Sequence, residues 1–233
     1  MARLRVLLLM GGPEYHNTPR HYAELAGLLA GEGRADLRIT DDLSVLTPET
    51  LAQYQAVVNY STFLTPTAEQ VQALLQAVEN GLGFLGLHAA SATFWNSPAY
   101  LTMLGSRFLR HDPFKTFRVT IADRTHPITA GVDDFDIEDE LYEVGGNTAD
   151  FPALAAALAA GQPASELRHL GEGPLGPEIH VLATAEGHPL LYVKTYGRGR
   201  VHYNALGHDA RALTNPHFRR LVLQGLAWVA GQT

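Results

Sequence analysis

Three histidines each follow an apolar run, and their placement sets the chemistry this chain can offer. His16 comes shortly after Val6-Leu7-Leu8-Leu9-Met10 and the turn Gly11-Gly12-Pro13, His88 ends the run Gly83-Phe84-Leu85-Gly86-Leu87, and His208 follows Val201 to Ala205. If those runs are strands of one open α/β sheet, all three imidazoles leave at carboxyl ends, where such sheets bind ligands. Imidazoles transfer protons near neutral pH because their unperturbed pKa is about 6.5, and they are common metal ligands. A carboxylate partner is available in Glu138-Asp139-Glu140-Leu141-Tyr142, where one of Asp139 and Glu140 should point inward. His88, His208 and a carboxylate from this segment, Asp139 or Glu140 with Glu140 preferred, are the catalytic candidates, and His16, His88 and His208 the candidate ligands of zinc or another divalent metal. No HExxH pair is present, so the metal reading depends on convergence of distant segments. Bland alternatives stand beside this one: His88 as an imidazole satisfied by backbone groups under a loop, and Gly11 to Asn17 as a Gly-Pro turn whose polar residues are merely solvated.

Other chemistries find no support. With no cysteine among 233 residues, a thiolate nucleophile, a disulfide framework and a thiolate zinc site are all excluded. No G-x-S-x-G elbow occurs, and Gly11-Gly12 lacks the spacing of a dinucleotide or P-loop fingerprint, so no nucleotide cofactor is expected. A formal net charge of -7 with scattered basic residues argues against nucleic acid. The apolar run near the amino terminus is too short for a membrane span and has no small-x-small cleavage pattern after it, which favours a buried first strand and a cytoplasmic protein. His111-Asp112 and His126-Pro127 read as polar pairs at strand boundaries, Asp133-Asp134-Phe135-Asp136 as a solvated surface turn, and Gly197-Arg198-Gly199-Arg200 as a hairpin whose arginines could meet an anion.

The elements that must carry these residues are legible as alternating strands and helices. Thr18-Pro19 caps a helix whose apolar positions recur up to Gly31, and Ala35–Thr40 fits a second strand. A short helix over Pro48–Tyr54 and a third strand, Ala56–Tyr60, follow. Thr65-Pro66-Thr67 opens a helix with the stripe Val71, Leu74, Leu75 and Val78, closed at Asn80-Gly81, and strand four ends at His88. Further on, Phe117–Ile121, Glu140–Val144, Ile179–Ala183, Leu190–Tyr196 and Val201–Ala205 read as strands, Ala153–Ala160 as an alanine-rich stretch and Gly161–Pro177 as a loop. A last helix from Pro216 carries Phe218, Leu221, Val222, Leu226 and Trp228 on its core face. This alternation implies a doubly wound, mostly parallel sheet between helical layers, in one domain spanning 1–233.

His16 after its glycine turn, Gly86-Leu87-His88-Ala89-Ala90-Ser91, His126-Pro127-Ile128 with Gly131, Asp139-Glu140-Leu141-Tyr142, Tyr196-Gly197-Arg198-Gly199-Arg200-Val201 and Leu206-Gly207-His208-Asp209 together resemble the ThuA-like (trehalose utilisation) family over nearly the whole chain. The resemblance implies a class I glutamine-amidotransferase-like, flavodoxin-like three-layer sandwich. That superfamily carries G-x-C-x-G at its elbow and a later histidine followed two positions on by glutamate. Here the elbow is G-x-H-x-A, His208 takes the histidine position and Ala210 stands where the glutamate would be, so thioester glutaminase chemistry has no nucleophile. The family points to sugar metabolism and to zinc in some members. The expectation is an enzyme hydrolysing, eliminating from or isomerising a trehalose-like disaccharide or oxidised glycoside, with Glu14, Tyr15, Trp95 and Tyr142 contacting the sugar. A non-catalytic sugar-binding or regulatory module on the same fold is the alternative. The partner is a small carbohydrate, and homo-oligomerisation is left open.

Overall fold

The computed structural model describes residues 3–31 and 34–232. A nine-stranded sheet runs through it in the order β2-β1-β3-β4-β11-β10-β9-β6-β7. Strands β1 (Leu4–Leu9), β2 (Ala35–Thr40), β3 (Ala56–Asn59), β4 (Gly83–Leu87) and β11 (Gly199–Asn204) pair parallel, with Leu9 opposite Asn59, Asn59 opposite Gly86 and Leu87 opposite Asn204. Their order is that of flavodoxin-like folds, with a switch point between β1 and β3. Beyond β11 the sheet continues antiparallel through β10 (His188–Tyr196), β9 (His180–Ala185), β6 (Lys115–Ile121) and β7 (Phe135–Asp139). A separate antiparallel pair joins β5 (Arg107–His111) to β8 (Tyr142–Gly145).

Helices cover both faces, as the alternation requires. On one side α1 (Pro19–Ala30) packs with α6 (Ala210–Leu213) and α7 (Pro216–Val229), the last against β3, β4 and β11. On the other, α2 (Pro48–Leu51), α3 (Ala68–Glu79), α4 (Pro98–Leu104) and α5 (Phe151–Ala159) form a chain of contacts in which α3 and α4 reach β11. The starts of α1 and α3 are capping boxes, Thr18 with His21 and Thr67 with Gln70, each tying free N–H groups of the first turn. Burial on both faces explains the unbroken apolar runs: Val6 to Leu9, Val57, Val58, Phe84 and Leu85 are fully enclosed. No helix among the described residues is long and apolar enough to cross a membrane.

Three local expectations change. The acidic stretch from Asp133 is not simply a solvated turn, because its second half enters β7, where Phe135, Ile137 and Asp139 face inward and Asp136 and Glu138 outward. The strand expected over Glu140–Val144 begins only at Tyr142, since Glu140 and Leu141 form the break between β7 and β8. Trp228 is half-buried rather than part of the core, with the Arg200 guanidinium 5.1 Å above its ring. The helix α4 and the strand β5 that pairs with β8 have no counterpart in the layout read from sequence.

Candidate functional site

Each of four neighbouring parallel strands delivers one side chain to the same rim. After β1 a 3-10 turn, Glu14–His16, brings in His16, Thr62 follows β3, His88 follows β4 directly and His208 follows β11. Glu140 enters from the β7–β8 break. Ligating atoms of His16, His88, His208 and Glu140 all lie within 4.8 Å of one another. The three imidazoles and the carboxylate picked out by type and position are therefore brought together.

His88 sits on a tight elbow, with a backbone φ of 42°, in the left-handed region that costs a bulky residue strain. A 3-10 turn, His88–Ala92, carries the chain away from it. The turn is feasible because Gly86 and Ala90 are small: a Cβ on Gly86 would lie 3.1 Å from both Ala90 Cβ and Leu104 Cδ1. Buried hydroxyls fix the elbow, Tyr203 Oη donating to the His88 carbonyl at 2.8 Å and Tyr100 Oη to the Ala90 carbonyl at 2.8 Å. The imidazole is set by its own Nδ1–H, which donates to the Ala205 carbonyl at 2.8 Å, and by the Tyr142 ring at 4.0 Å between centroids. In the neutral ring that bond leaves the lone pair on His88 Nε2, which is buried and has no hydrogen-bond partner. Its nearest charged neighbour is Glu140 Oε2 at 3.5 Å.

The loops bearing the other two imidazoles are held as firmly. Asp139, fully buried, accepts the N–H groups of Gly207 at 2.7 Å and His208 at 3.1 Å, and that of Glu140 at 2.9 Å. Burial pushes its carboxyl up, against the opposing pull of His88 and these N–H groups. Tyr60 Oη donates to the Gly207 carbonyl at 2.7 Å and His21 Nε2 to the His208 carbonyl at 3.0 Å. His16 meets Thr62 Oγ1 through Nδ1 at 2.9 Å and His208 Nδ1 through Nε2 at 2.8 Å. His208 Nδ1 also lies 3.0 Å from Glu140 Oε2.

The electrostatics of the cluster suit a cation or a proton. Burial, and then His88 and His208, push His16 down to about 2, so its ring is neutral. Burial opposes charge on Glu140 as well, yet the contacts from His208 and His88 prevail and hold the carboxyl well below its usual range. A bare lone pair on His88 Nε2 would face Glu140 as a second acceptor, so the ionised carboxylate needs a positive centre between the two, a proton on Nε2 or a cation. The donor set of three nitrogens and one carboxylate oxygen matches the imidazole and carboxylate ligation that zinc takes. The N–H of His88 on the Ala205 carbonyl and the contact of His16 with Thr62 are hydrogen bonds of the kind that orient imidazoles in metal sites.

Above this cluster opens a cavity of about 400 Å³, bordered by Tyr15, Thr62, Phe63, Phe108, His111 and Tyr142 together with His16, His208 and Glu140. Tyr15 is exposed at its mouth and Tyr142 is buried in its wall. Of the other sugar-contact candidates, Glu14 is exposed and does not border the cavity. Trp95 faces a neighbouring cavity instead, its Nε1 donating to the Ser91 carbonyl at 2.8 Å. Sequence reasoning missed Thr62, Phe63 and Phe108. Thr62 carried the same signal as the histidines, a polar residue just past a strand's carboxyl end. His111, read as a strand-boundary pair, lies with Nε2 3.6 Å from Glu140 Oε1.

Comparison with known proteins agrees with this architecture. No curated protein matches the chain. Among solved structures, a protein from Parabacteroides merdae described as ThuA-like is 20% identical with a TM-score of 0.77, covering 99% of this chain and 91% of its own. A cytoplasmic protein from Salmonella typhimurium is 14% identical with a TM-score of 0.64, over 97% of this chain and 99% of its own. A Thermoplasma acidophilum protein described as part of a GMP synthase is 9% identical with a TM-score of 0.58, over 99% of this chain and 96% of its own. These likenesses show the fold, that of class I glutamine amidotransferases. The sequence profile of the ThuA family, described as trehalose utilisation, matches residues 5–229, and the chain belongs to that family.

Proposed function

We propose that this ThuA-family chain is an enzyme acting on a carbohydrate-derived small molecule, a disaccharide or an oxidised glycoside, at a histidine and carboxylate centre that holds zinc or another divalent cation. The observation that carries the reading is the buried, unpartnered His88 Nε2 directed at an ionised carboxylate and two further imidazoles. His16 through Nε2, His88 through Nε2, His208 through Nδ1 and Glu140 would hold the ion. A bound divalent cation there supplies Lewis acidity and a water of lowered pKa.

The chain's own groups do the rest. Asp139, Tyr60 and His21 fix the His208 loop, so its imidazole is already oriented before any ligand arrives. Glu140, held ionised, serves as the anionic ligand, and His111, lining the cavity with Nε2 3.6 Å from Glu140 Oε1, is the group placed to accept a proton from a hydroxyl or a carbon acid there. Tyr15 offers an exposed aromatic face at the mouth for a sugar ring to stack on, and Tyr142 holds the His88 ring from below. The sequence supplies no cysteine for a thioester, so release of ammonia from glutamine is not expected. We take the protein to work in the cytoplasm as one domain, in keeping with the description of the Salmonella neighbour.

The test is turnover. Zinc-supplemented protein is incubated with trehalose, other disaccharides and glycosides carrying a ring ketone, with products followed by nuclear magnetic resonance. Hydrolysis, elimination or isomerisation of one of them, abolished by chelator and by Glu140→Gln, is expected. Metal-loaded protein that binds these sugars but converts none would leave a binding or regulatory module.

A further inference from the structure

A second cavity of about 490 Å³ lies beside the first, and Phe63 and Ala92 border both. Its walls are Phe94, Trp95 and Leu64 on one side and Ala155 and Leu158 of α5 on the other. Three of the polar groups along it are already engaged. Thr93 Oγ1 accepts the Leu64 N–H at 3.0 Å, Asn96 Nδ2 donates to the Pro66 carbonyl at 2.8 Å and Trp95 Nε1 to the Ser91 carbonyl.

Phe63, on the shared wall, is unusual in two respects. Its backbone has a φ of 53°, and the residue is 51% exposed, so a strained residue presents an apolar surface to solvent. Its N–H is tied to the Ala92 carbonyl at 3.0 Å and its ring meets Trp95 edge-on at 5.6 Å. The polar, ionisable cavity and the apolar one thus share an aromatic residue in their walls.

We infer that the second cavity receives the aglycone of the substrate, which is a glycoside with an aromatic or alkyl group rather than a disaccharide. The inference rests on the sugar reading of the histidine site. The sugar lies over the imidazoles and Glu140, while the apolar group passes Phe63 and packs on Trp95, Phe94 and Leu158. A second pyranose would bring several hydroxyls against walls made mostly of Leu64, Phe94, Trp95, Ala155 and Leu158, and each buried without a partner opposes binding. An aryl or alkyl group loses nothing there and gains from burial of its apolar surface.

Calorimetry on the zinc-supplemented full chain decides this, with glucose, trehalose, 4-nitrophenyl glucosides of both anomers, octyl glucoside and free 4-nitrophenol as probes. A 4-nitrophenyl or octyl glucoside should bind at least about tenfold more tightly than glucose or trehalose, as expected for one buried apolar group. Ala155→Phe fills the cavity, and it should abolish that advantage without changing glucose binding. Ala159→Trp, at an exposed position of α5 on the same cavity, should do the same if the first variant folds poorly. Glucose binding with no advantage for the aryl or alkyl glucosides overturns the aglycone assignment alone. No sugar binding at all overturns the site reading and the inference with it. Free 4-nitrophenol binding as tightly as its glucosides, or self-association lost in Ala155→Phe, would assign the cavity to another occupant and also overturn it.

Discussion

Gly12→Ala tests whether the loop carrying His16 is held in place by backbone contact with Thr62. Gly12 has a φ of 111°, and a Cβ built there would fall on the Thr62 carbonyl oxygen, 3.0 Å from its carbon and 3.1 Å from Thr62 Cβ. The reciprocal bond from the Thr62 N–H to the Gly11 carbonyl, 3.0 Å, leaves that contact no room to slide. Alanine at this φ costs about 1–3 kcal/mol before any clash is counted. Relief of the clash to normal contact requires a shift of about 1 Å between the two loops. His16 reaches both Thr62 Oγ1 at 2.9 Å and His208 Nδ1 at 2.8 Å from that loop, so a displacement of this size breaks one of them. Losing an orienting contact of this kind lowers metal affinity by about 10- to 100-fold. Urea unfolding of metal-free protein should show a loss of about 2 kcal/mol or more, and competition with a chromophoric chelator should show the weakened zinc binding. Wild-type stability together with wild-type zinc affinity would refute the claim that these loops rest on each other.

Three further outcomes follow from the same structure. Gly27 lies exposed in mid-helix of α1 with nothing near its Cβ position, so Gly27→Ala should raise stability by about 0.5–1 kcal/mol, and a lower urea midpoint would contradict this. Asp139→Asn replaces one acceptor by a donor facing the Gly207 and His208 N–H groups. Because burial itself opposes the Asp139 charge, the expected loss is about 2 kcal/mol, and no loss in urea unfolding would remove Asp139 from the anchoring role. His202 is buried, its Nδ1 donating to the Tyr192 carbonyl while Nε2 has no partner, and burial pushes it down to about 4 from an ordinary 6.5. Between those values the unfolded chain binds a proton that the folded chain refuses, so this contribution is complete above the upper value and falls as pH drops. It amounts to about 2 kcal/mol between about pH 7 and pH 5. His202→Asn should flatten the stability profile by that amount, and an unchanged profile would contradict the assignment.

The parallel half of the fold was legible because its strands are buried on both faces and its helices carry explicit caps, as at Thr18-Pro19 and Thr67. The convergence of His16, His88 and His208 was legible for a topological reason: each lies just past the carboxyl end of a parallel strand, and those ends share one rim. Glu140 required more than local pattern. Its inward direction depends on the break between β7 and β8, which arises from pairing with β6 and β5, partners distant in sequence. The acidic density of Asp133–Asp136 concealed the alternation that makes β7, since an outward Asp136 and Glu138 look like a solvated run until Phe135 and Ile137 are seen to face the core. Trp95 shows the limit of proximity in sequence. Seven residues from His88, it is turned by the intervening 3-10 turn towards the adjacent cavity.

The most direct measurement is the metal content of the chain. Purified protein is incubated with excess zinc, desalted and analysed by inductively coupled plasma mass spectrometry, alongside His88→Ala checked for folding by circular dichroism. The account predicts about one zinc per chain in the wild type, as four converging ligands should hold, and none retained by the folded variant. Wild-type protein that emerges free of metal, or His88→Ala that keeps a full complement, would contradict it.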